Sequence, residues 1–190
     1  MHAPLRQAAD QEIVYRDLRR FTYRELVDRV GRQASAFARM GVRPGDTVGV
    51  LDWDSNRFLE ALFAVPMMGA VLQTVNVRLP PEQIAYTINH AGSSVLLAND
   101  DFVPVLHGLI PQLPNVRRLV VMSDRVEPRT GGLSFEGEYE GLLAAASPDY
   151  SFPDFDENTQ ATTFYTSGTT GLPKGVYYSH RRWFFIAGPS

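Results

Sequence analysis

Cysteine is absent from the chain, which excludes disulfides and cysteine-based zinc sites and fits a reducing cytoplasm. Long apolar runs are absent too. The longest apolar stretch, Phe58–Leu72, is interrupted by Glu60, Pro66 and Gly69 and falls short of the roughly 20 residues a membrane-spanning helix needs. Met1–Asp10 lacks the apolar core of a secretory signal. Positive charge is not in excess: 18 Lys and Arg stand against 21 Asp and Glu, for a net charge of −3. The electrostatic footprint of a nucleic-acid binder is therefore missing. These absences predict a cytoplasmic chain with no transmembrane segment and no nucleic-acid partner.

What is present is an ordinary globular composition. With 190 residues, 44% apolar and 21% charged, the chain suits one domain with a sizeable core. Ile13–Tyr15 reads as a short strand. Thr22 can cap a helix, Glu25 completes a capping box, and Phe21 can staple onto Leu26. Apolar residues keep helical spacing from Tyr23 to Met40, and Gly41 is placed to end the helix. Val48–Leu51, Val71–Val75, Val95–Ala98 and Leu119–Met122 read as buried strands. A second helix is expected from Ser55 or Asn56 until Pro66 kinks or ends it. A third runs from Pro80-Pro81-Glu82 to near Gly92, and a fourth from Phe102 to Leu109, stopping before Pro111. Ser123–Gly137 reads as a surface loop or loose hairpin, Tyr139–Ala146 as a short helix, and Pro148–Asn158 as an irregular segment. Ala161–Tyr165 and Val176–Tyr178 are the last strand-like runs. Strands alternating with helices predict an α/β fold with a mostly parallel sheet flanked by helices. Ligands of such sheets bind beyond the carboxyl ends of the strands.

Between those last two runs lies Tyr165-Thr166-Ser167-Gly168-Thr169-Thr170-Gly171-Leu172-Pro173-Lys174-Gly175-Val176. Its glycines allow close backbone approach and φ > 0. Successive N–H groups in such a loop form a concavity that suits an anion. Thr166, Ser167, Thr169 and Thr170 add hydroxyls, Lys174 adds a positive charge, and Pro173 stiffens the backbone before it. This is a polyphosphate-holding loop. Loops rich in Gly, Ser and Thr are often only linkers, but linkers are seldom bracketed by apolar strands. A Walker A loop needs G-x-x-x-x-G-K-[ST] entering a helix. Counting from Gly168, Pro173 and Gly175 occupy the required glycine and hydroxyl positions, so that motif fails.

Thr166–Gly175, T-S-G-T-T-G-L-P-K-G, resembles the phosphate-loop signature of the adenylate-forming (AMP-binding) enzymes. Phe21–Leu26, Val42–Val48, Gly69-Ala70-Val71 and Asn76–Leu79 agree with it. Together with Leu51–Ser55, the last two look most like the long- and medium-chain fatty-acyl-CoA synthetase branch. The resemblance covers nearly the whole chain but only the first part of such an enzyme. It implies that residues 1–190 are the N-terminal part of the adenylation domain, an incomplete portion of the large domain that stops shortly after the phosphate loop. The family's C-terminal domain has no counterpart among these residues.

By this resemblance Thr166, Ser167, Gly168, Thr169, Thr170, Gly171 and Lys174 would hold the ATP phosphates, with the Thr166 hydroxyl facing Mg²⁺. ATP, Mg²⁺ and coenzyme A are the implied cofactors, and a carboxylic acid, fatty in the branch it most resembles, the implied partner. The family activity is AMP-forming ligation of the acid to coenzyme A through an acyl-adenylate. No proton-transfer catalyst is assigned, and the 190 residues alone are expected to be inactive. The alternative is a non-catalytic phosphate- or partner-binding fragment, open to self-association through uncovered sheet edges.

Other candidates have plainer readings. Asp149, Asp154, Asp156 and Glu157 read as a solvated face rather than a metal site. His180 reads as a helix-start residue after Ser179, and His90 and His107 as partly exposed residues near helix ends. Trp53, Asp54 and Asn56 could line a pocket, but turn and cap chemistry is the expected role of Asp54 and Asn56. Met67-Met68 and Trp183–Ile186 read as core.

Overall fold

In the computed structural model, residues 7–166 and 171–182 are described. The first two strands among the described residues, β1 (Glu12–Tyr15) and β2 (Arg19–Thr22), pair antiparallel. The second was not expected from the sequence: Arg19–Thr22 is short and polar, and only pairing with β1 makes it a strand. Its last residue doubles as the cap of helix α1 (Tyr23–Arg39). The Glu25 N–H donates to Thr22 Oγ1 at 3.3 Å while the Thr22 N–H donates to Glu25 Oε2 at 2.7 Å, closing the capping box. Phe21 and Leu26 are buried in one cluster, as a staple requires.

The main sheet has the order β7-β6-β5-β3-β4-β8-β9. Its members are β3 (Thr47–Leu51), β4 (Val71–Thr74), β5 (Ser93–Asn99), β6 (Arg118–Met122), β7 (Gly137–Glu138), β8 (Gln160–Thr166) and β9 (Lys174–Ser179). Every pairing is parallel except β8 with β9. Helix α2 (Asn56–Met67) follows β3 and α3 (Pro81–Ala91) follows β4. Helix α4 (Val103–Leu109) follows β5, and α5 (Tyr139–Ala144) follows β7.

Side chains alternate across the sheet as the pleat dictates. Val48, Val50, Leu72, Val95, Leu97, Val120 and Met122 pack with α1, α2 and α5. Leu51, Val75, Leu96, Ala98 and Leu119 pack with α3 and α4 on the other face. The chain steps from β3 to β4 in one direction with its helix on the first face. It then steps to β5 and β6 in the opposite direction with helices on the second face. Reversing both direction and face keeps one hand for all these crossovers.

Several boundaries differ from those expected. α2 runs one residue past Pro66 to Met67. A proline in the last turn forfeits a single helical hydrogen bond and stops the helix almost at once. The fourth helix is three pieces: a 3₁₀ turn at Asp100–Phe102, α4 itself, and a 3₁₀ turn at Ile110–Gln112 that accommodates Pro111 in its first turn. There the missing N–H costs nothing. Ser123–Gly137 is not a hairpin: Gly137 opens β7, which runs parallel to β6. α5 ends at Ala144, short of Ala146.

Beneath α1, α2 and α5 lies an ionic cluster that sequence reading did not anticipate. Glu60 is fully buried. It accepts from Arg29 Nε at 2.7 Å, Asn56 Nδ2 at 2.9 Å and the Tyr139 hydroxyl at 2.7 Å. Glu140 accepts from Arg19 Nη1 at 2.8 Å and Arg57 Nε at 3.1 Å, and Arg29 reaches it too. Arg57 also donates to Asp124 at 2.7 Å and to the Ser123 carbonyl at 2.6 Å. Buried charge on this scale is tolerated because each ion is paired and hydrogen-bonded. The cluster ties the first strand pair, α1, α2, α5 and the end of β6 together.

Candidate functional site

Parallel order concentrates the strand ends on one edge. The segments after β3, β4 and β5 leave that edge for different faces: α2 goes to one, α3 and α4 to the other. A crevice must open between the loops that part company, and this switch point is where ligands of open α/β sheets sit. Two clefts open there. One of about 380 Å³ lies between the β3 and β4 ends, lined by Arg16, Asp52, Trp53, Asp54 and Val75–Arg78. A second of about 230 Å³ lies between the β3 and β5 ends, among Trp53, Asn99, Asp100 and Asp101 with Arg16, Asp124 and Arg125.

Trp53 and Asp54 therefore line a cleft, beyond the turn chemistry expected of Asp54. Asp54 takes φ +56°, a conformation Asp tolerates better than most residues. Trp53 is 42% exposed and is held by Nε1–H donation to Asp101 at 3.2 Å and by the Phe102 ring at 4.6 Å. The expectation for Asn56 fails: Ser55 is the cap, accepting from the Arg57 and Phe58 N–H groups, and Asn56 is buried against Glu60. Cap residues precede the first helical residue, so the acceptor falls one position earlier. Arg16, Asp52, Asn76 and Arg78 were not anticipated as lining residues. Their only sequence signal is position just beyond a strand end.

The glycine-rich loop leaves the same edge, from the end of β8. Thr166 is the last residue of β8 and Lys174 the first of β9, and the two are partners in the antiparallel register. Both are exposed. Cross-strand partners share one face of the pleat, so a hydroxyl and an ammonium flank the root of the loop. Gly171 takes φ +140°, a region glycine enters without strain. Ser167, Gly168, Thr169 and Thr170 lie outside the described residues, as do Trp183–Ile186. Pro173 is buried while Leu172 is 57% exposed.

Among the described residues no group of three or more His, Asp or Glu side chains gathers to hold a metal. Among the described residues of the loop, the side-chain oxygen donor is the Thr166 hydroxyl. That fits Mg²⁺ arriving already bound to phosphate oxygens, since Mg²⁺ prefers substrate phosphates and water to an all-protein cage. The carboxylates at Asp149, Asp154, Asp156 and Glu157 are exposed, and Glu157 pairs with Arg181 at 3.4 Å.

His180 begins a turn in which the Arg182 N–H donates to Ser179 Oγ at 3.4 Å. Its ring packs on Phe155 with centroids 4.4 Å apart, and burial lowers its pKa. His107 is exposed in the last turn of α4. His90 sits in the last turn of α3, as expected of a helix-end residue, but its Nδ1 also lies 2.8 Å from the Tyr165 hydroxyl. Met68 is buried in the core and Met67 packs against the cluster around Leu26 and Val30. No helix among the described residues is long and apolar enough to cross a membrane.

Residues 2–187 match the family described as AMP-binding enzyme. The 3-methylmercaptopropionyl-CoA ligase of Ruegeria lacuscaerulensis is 41% identical over 165 residues, which is 85% of this chain and 30% of that protein. The medium-chain-fatty-acid–CoA ligase of Ectopseudomonas oleovorans is 39% identical over 87% of this chain and 30% of its own length. Among solved structures, an anthranilate CoA ligase in complex with anthranoyl-AMP superposes with a TM-score of 0.86. That match covers 96% of this chain and 35% of the other at 24% identity, a likeness of fold. The chain thus spans about 30% of the length of the curated relatives it matches.

Proposed function

The chain belongs to the AMP-binding enzyme family, and we propose that it carries the polyphosphate-holding part of an AMP-forming acid–thiol ligase. The observation that carries this reading is the Thr166–Lys174 pair, which flanks the glycine-rich loop at the carboxyl edge of the parallel sheet. In the full reaction a carboxylate oxygen attacks the α-phosphorus of ATP and pyrophosphate leaves. A thiol sulfur, that of coenzyme A, then attacks the acyl carbon and AMP leaves. Such phosphoryl chemistry asks mainly for positioning and charge stabilisation. Thr166, Ser167, Gly168, Thr169, Thr170 and Gly171 supply hydroxyl and N–H donors for the β- and γ-phosphates, and Lys174 balances charge on the departing pyrophosphate. Mg²⁺, when bound, neutralises phosphate charge beside the Thr166 hydroxyl.

A fatty acid is the proposed acid, supported by the medium-chain and long-chain fatty-acid–CoA ligases among the relatives. The proposed compartment is the cytoplasm. The 190 residues are proposed to be part of an adenylation domain, and by themselves not to complete turnover. Acid-dependent ATP–pyrophosphate exchange, with fatty acids of several lengths and Mg²⁺, tests this. The expected result is no exchange by the 190-residue chain; exchange would mean that these residues suffice for adenylation.

A second reading, a partner-binding fragment, is favoured by β9. Among the described residues it ends the sheet order beyond β8, and Tyr177 on it is 48% exposed. Uncovered strands invite pairing. Concentration-dependent mass in light scattering would support it, and a constant monomer mass would remove it.

A further inference from the structure

We propose that His90 is a positioning residue for the glycine-rich loop, tethering the end of α3 to the strand end from which that loop departs. The inference rests on the polyphosphate reading for its purpose but on separate geometry for its existence. β8 pairs with β4 only at Leu72↔Thr162 and Gln73↔Thr163. Beyond Thr163, its sheet partner among the described residues is β9 alone, through Phe164↔Val176, Tyr165↔Gly175 and Thr166↔Lys174. The root of the loop is thus a two-stranded ribbon, which is marginal by itself in water.

His90 supplies what the ladder lacks. Its Nδ1 lies 2.8 Å from the Tyr165 hydroxyl, and the two rings meet edge to face at 84° with centroids 5.8 Å apart. Tyr86, one turn earlier on α3, packs on the imidazole with centroids 5.5 Å apart and the rings tilted by 35°. Tyr165 is only 7% exposed, and burial holds its phenol pKa far above the ordinary value. With the Nε2–H tautomer the protonated hydroxyl donates and Nδ1 accepts.

Across the ribbon the partner of Tyr165 is Gly175. A Cβ there would meet the Tyr177 hydroxyl at 3.1 Å and Tyr165 Cε1 at 3.3 Å. The glycine thus lets both phenol rings lie against the strand. Because α3 begins just after the cleft residues Asn76–Arg78, one helix joins the switch-point cleft to the root of the loop.

The test uses the 190-residue chain, hydrogen–deuterium exchange and titration with inorganic pyrophosphate. His90→Phe keeps a ring and removes the acceptor, whereas His90→Gln restores an acceptor oxygen. In His90→Phe, exchange in Phe164–Thr166 and Lys174–Val176 should rise about tenfold, the size of one net hydrogen bond. Exchange in β3 and β5 should stay unchanged. Pyrophosphate affinity should fall severalfold, and His90→Gln should recover most of both. Combining His90→Phe with Tyr165→Phe should add nothing to Tyr165→Phe alone. Exchange in His90→Phe equal to wild type, or an equal loss in His90→Gln, overturns the tether. If wild type fails to bind pyrophosphate, the polyphosphate reading fails while exchange still decides the tether.

Discussion

Thr166 and Lys174, separated in sequence by the whole glycine-rich loop, stand opposite each other as the closing pair of the β8–β9 ladder. A hydroxyl suited to a hard cation and an ammonium suited to phosphate therefore leave neighbouring points of one face. Removing only the hydroxyl separates their roles. Thr166→Val keeps the branched, strand-favouring shape. It should weaken binding of Mg-ATP about tenfold while changing metal-free pyrophosphate binding much less, read by calorimetric titration with and without Mg²⁺. Equal losses in both titrations would remove Thr166 from the metal.

The buried cluster predicts a strong asymmetry between its members. Glu60→Gln leaves the Arg29 guanidinium, whose side chain is 12% exposed, without its main counter-charge. The expected cost is about 3–5 kcal/mol in urea unfolding. Tyr139→Phe deletes one donor to the same carboxylate and should cost about 1.5–3 kcal/mol. A Glu60→Gln variant as stable as wild type would show that the cluster contributes no stability.

Stability should fall at both ends of the pH range. Burial raises the pKa of Asp124, but hydrogen bonds from Arg57 and Tyr15 and the Arg57 charge outweigh it, so its net pKa is lowered. Burial of Glu140 is likewise outweighed by Arg29, Arg19 and Arg57, and its pKa is lowered. Carboxyls with depressed folded pKa values stabilise above their unfolded values and lose that contribution as pH falls through the folded ones. Unfolding free energy should therefore drop below about pH 4. Burial and the Asp124 hydrogen bond push Tyr15 up to about 12. Its contribution is full below the ordinary phenol pKa and is lost as pH rises from about 10 toward 12. Asp124→Asn should flatten both limbs in urea titrations across pH; an unchanged profile would contradict the assignment.

Gly31 marks where α1 meets the segment leading to β8. A Cβ there would lie 2.0 Å from the Pro148 carbonyl oxygen, and backbone cannot yield as a side-chain tip can. Gly31→Ala should cost about 1–3 kcal/mol despite the better helix propensity of alanine. Hydrogen exchange should rise in residues 145–158. A gain in stability would show that this contact is absent in solution.

Local chemistry was legible in the chain, and tertiary pairing was not. Thr22 and Glu25 announced the start of α1, and Gly41 and Gly92, both at positive φ, announced helix ends, because caps depend on residues a few positions apart. The strands that bracket the glycine-rich loop were legible as apolar runs, Ala161–Tyr165 within β8 and Val176–Tyr178 within β9. β2 and β7 escaped because four and two residues respectively carry no readable period. The cleft residues Arg16, Asn76 and Arg78 meet only through strand order. The contacts of Glu60 with Tyr139 and of His90 with Tyr165 join residues 79 and 75 positions apart, a separation at which one sequence carries no pairing signal. The Asn56 cap failed by one residue, within the ordinary uncertainty of a helix start.

Titration of the 190-residue chain with inorganic pyrophosphate by calorimetry, in wild type and Lys174→Ala, tests the loop most directly. Lys174 is exposed at a strand end, so its removal should leave the melting temperature unchanged. The expected result is one site per chain in wild type, weakened at least tenfold in the variant, as loss of a charge-assisted hydrogen bond implies. No binding by a folded wild-type chain, or equal affinity in the two proteins, would contradict the assignment of this loop to polyphosphate.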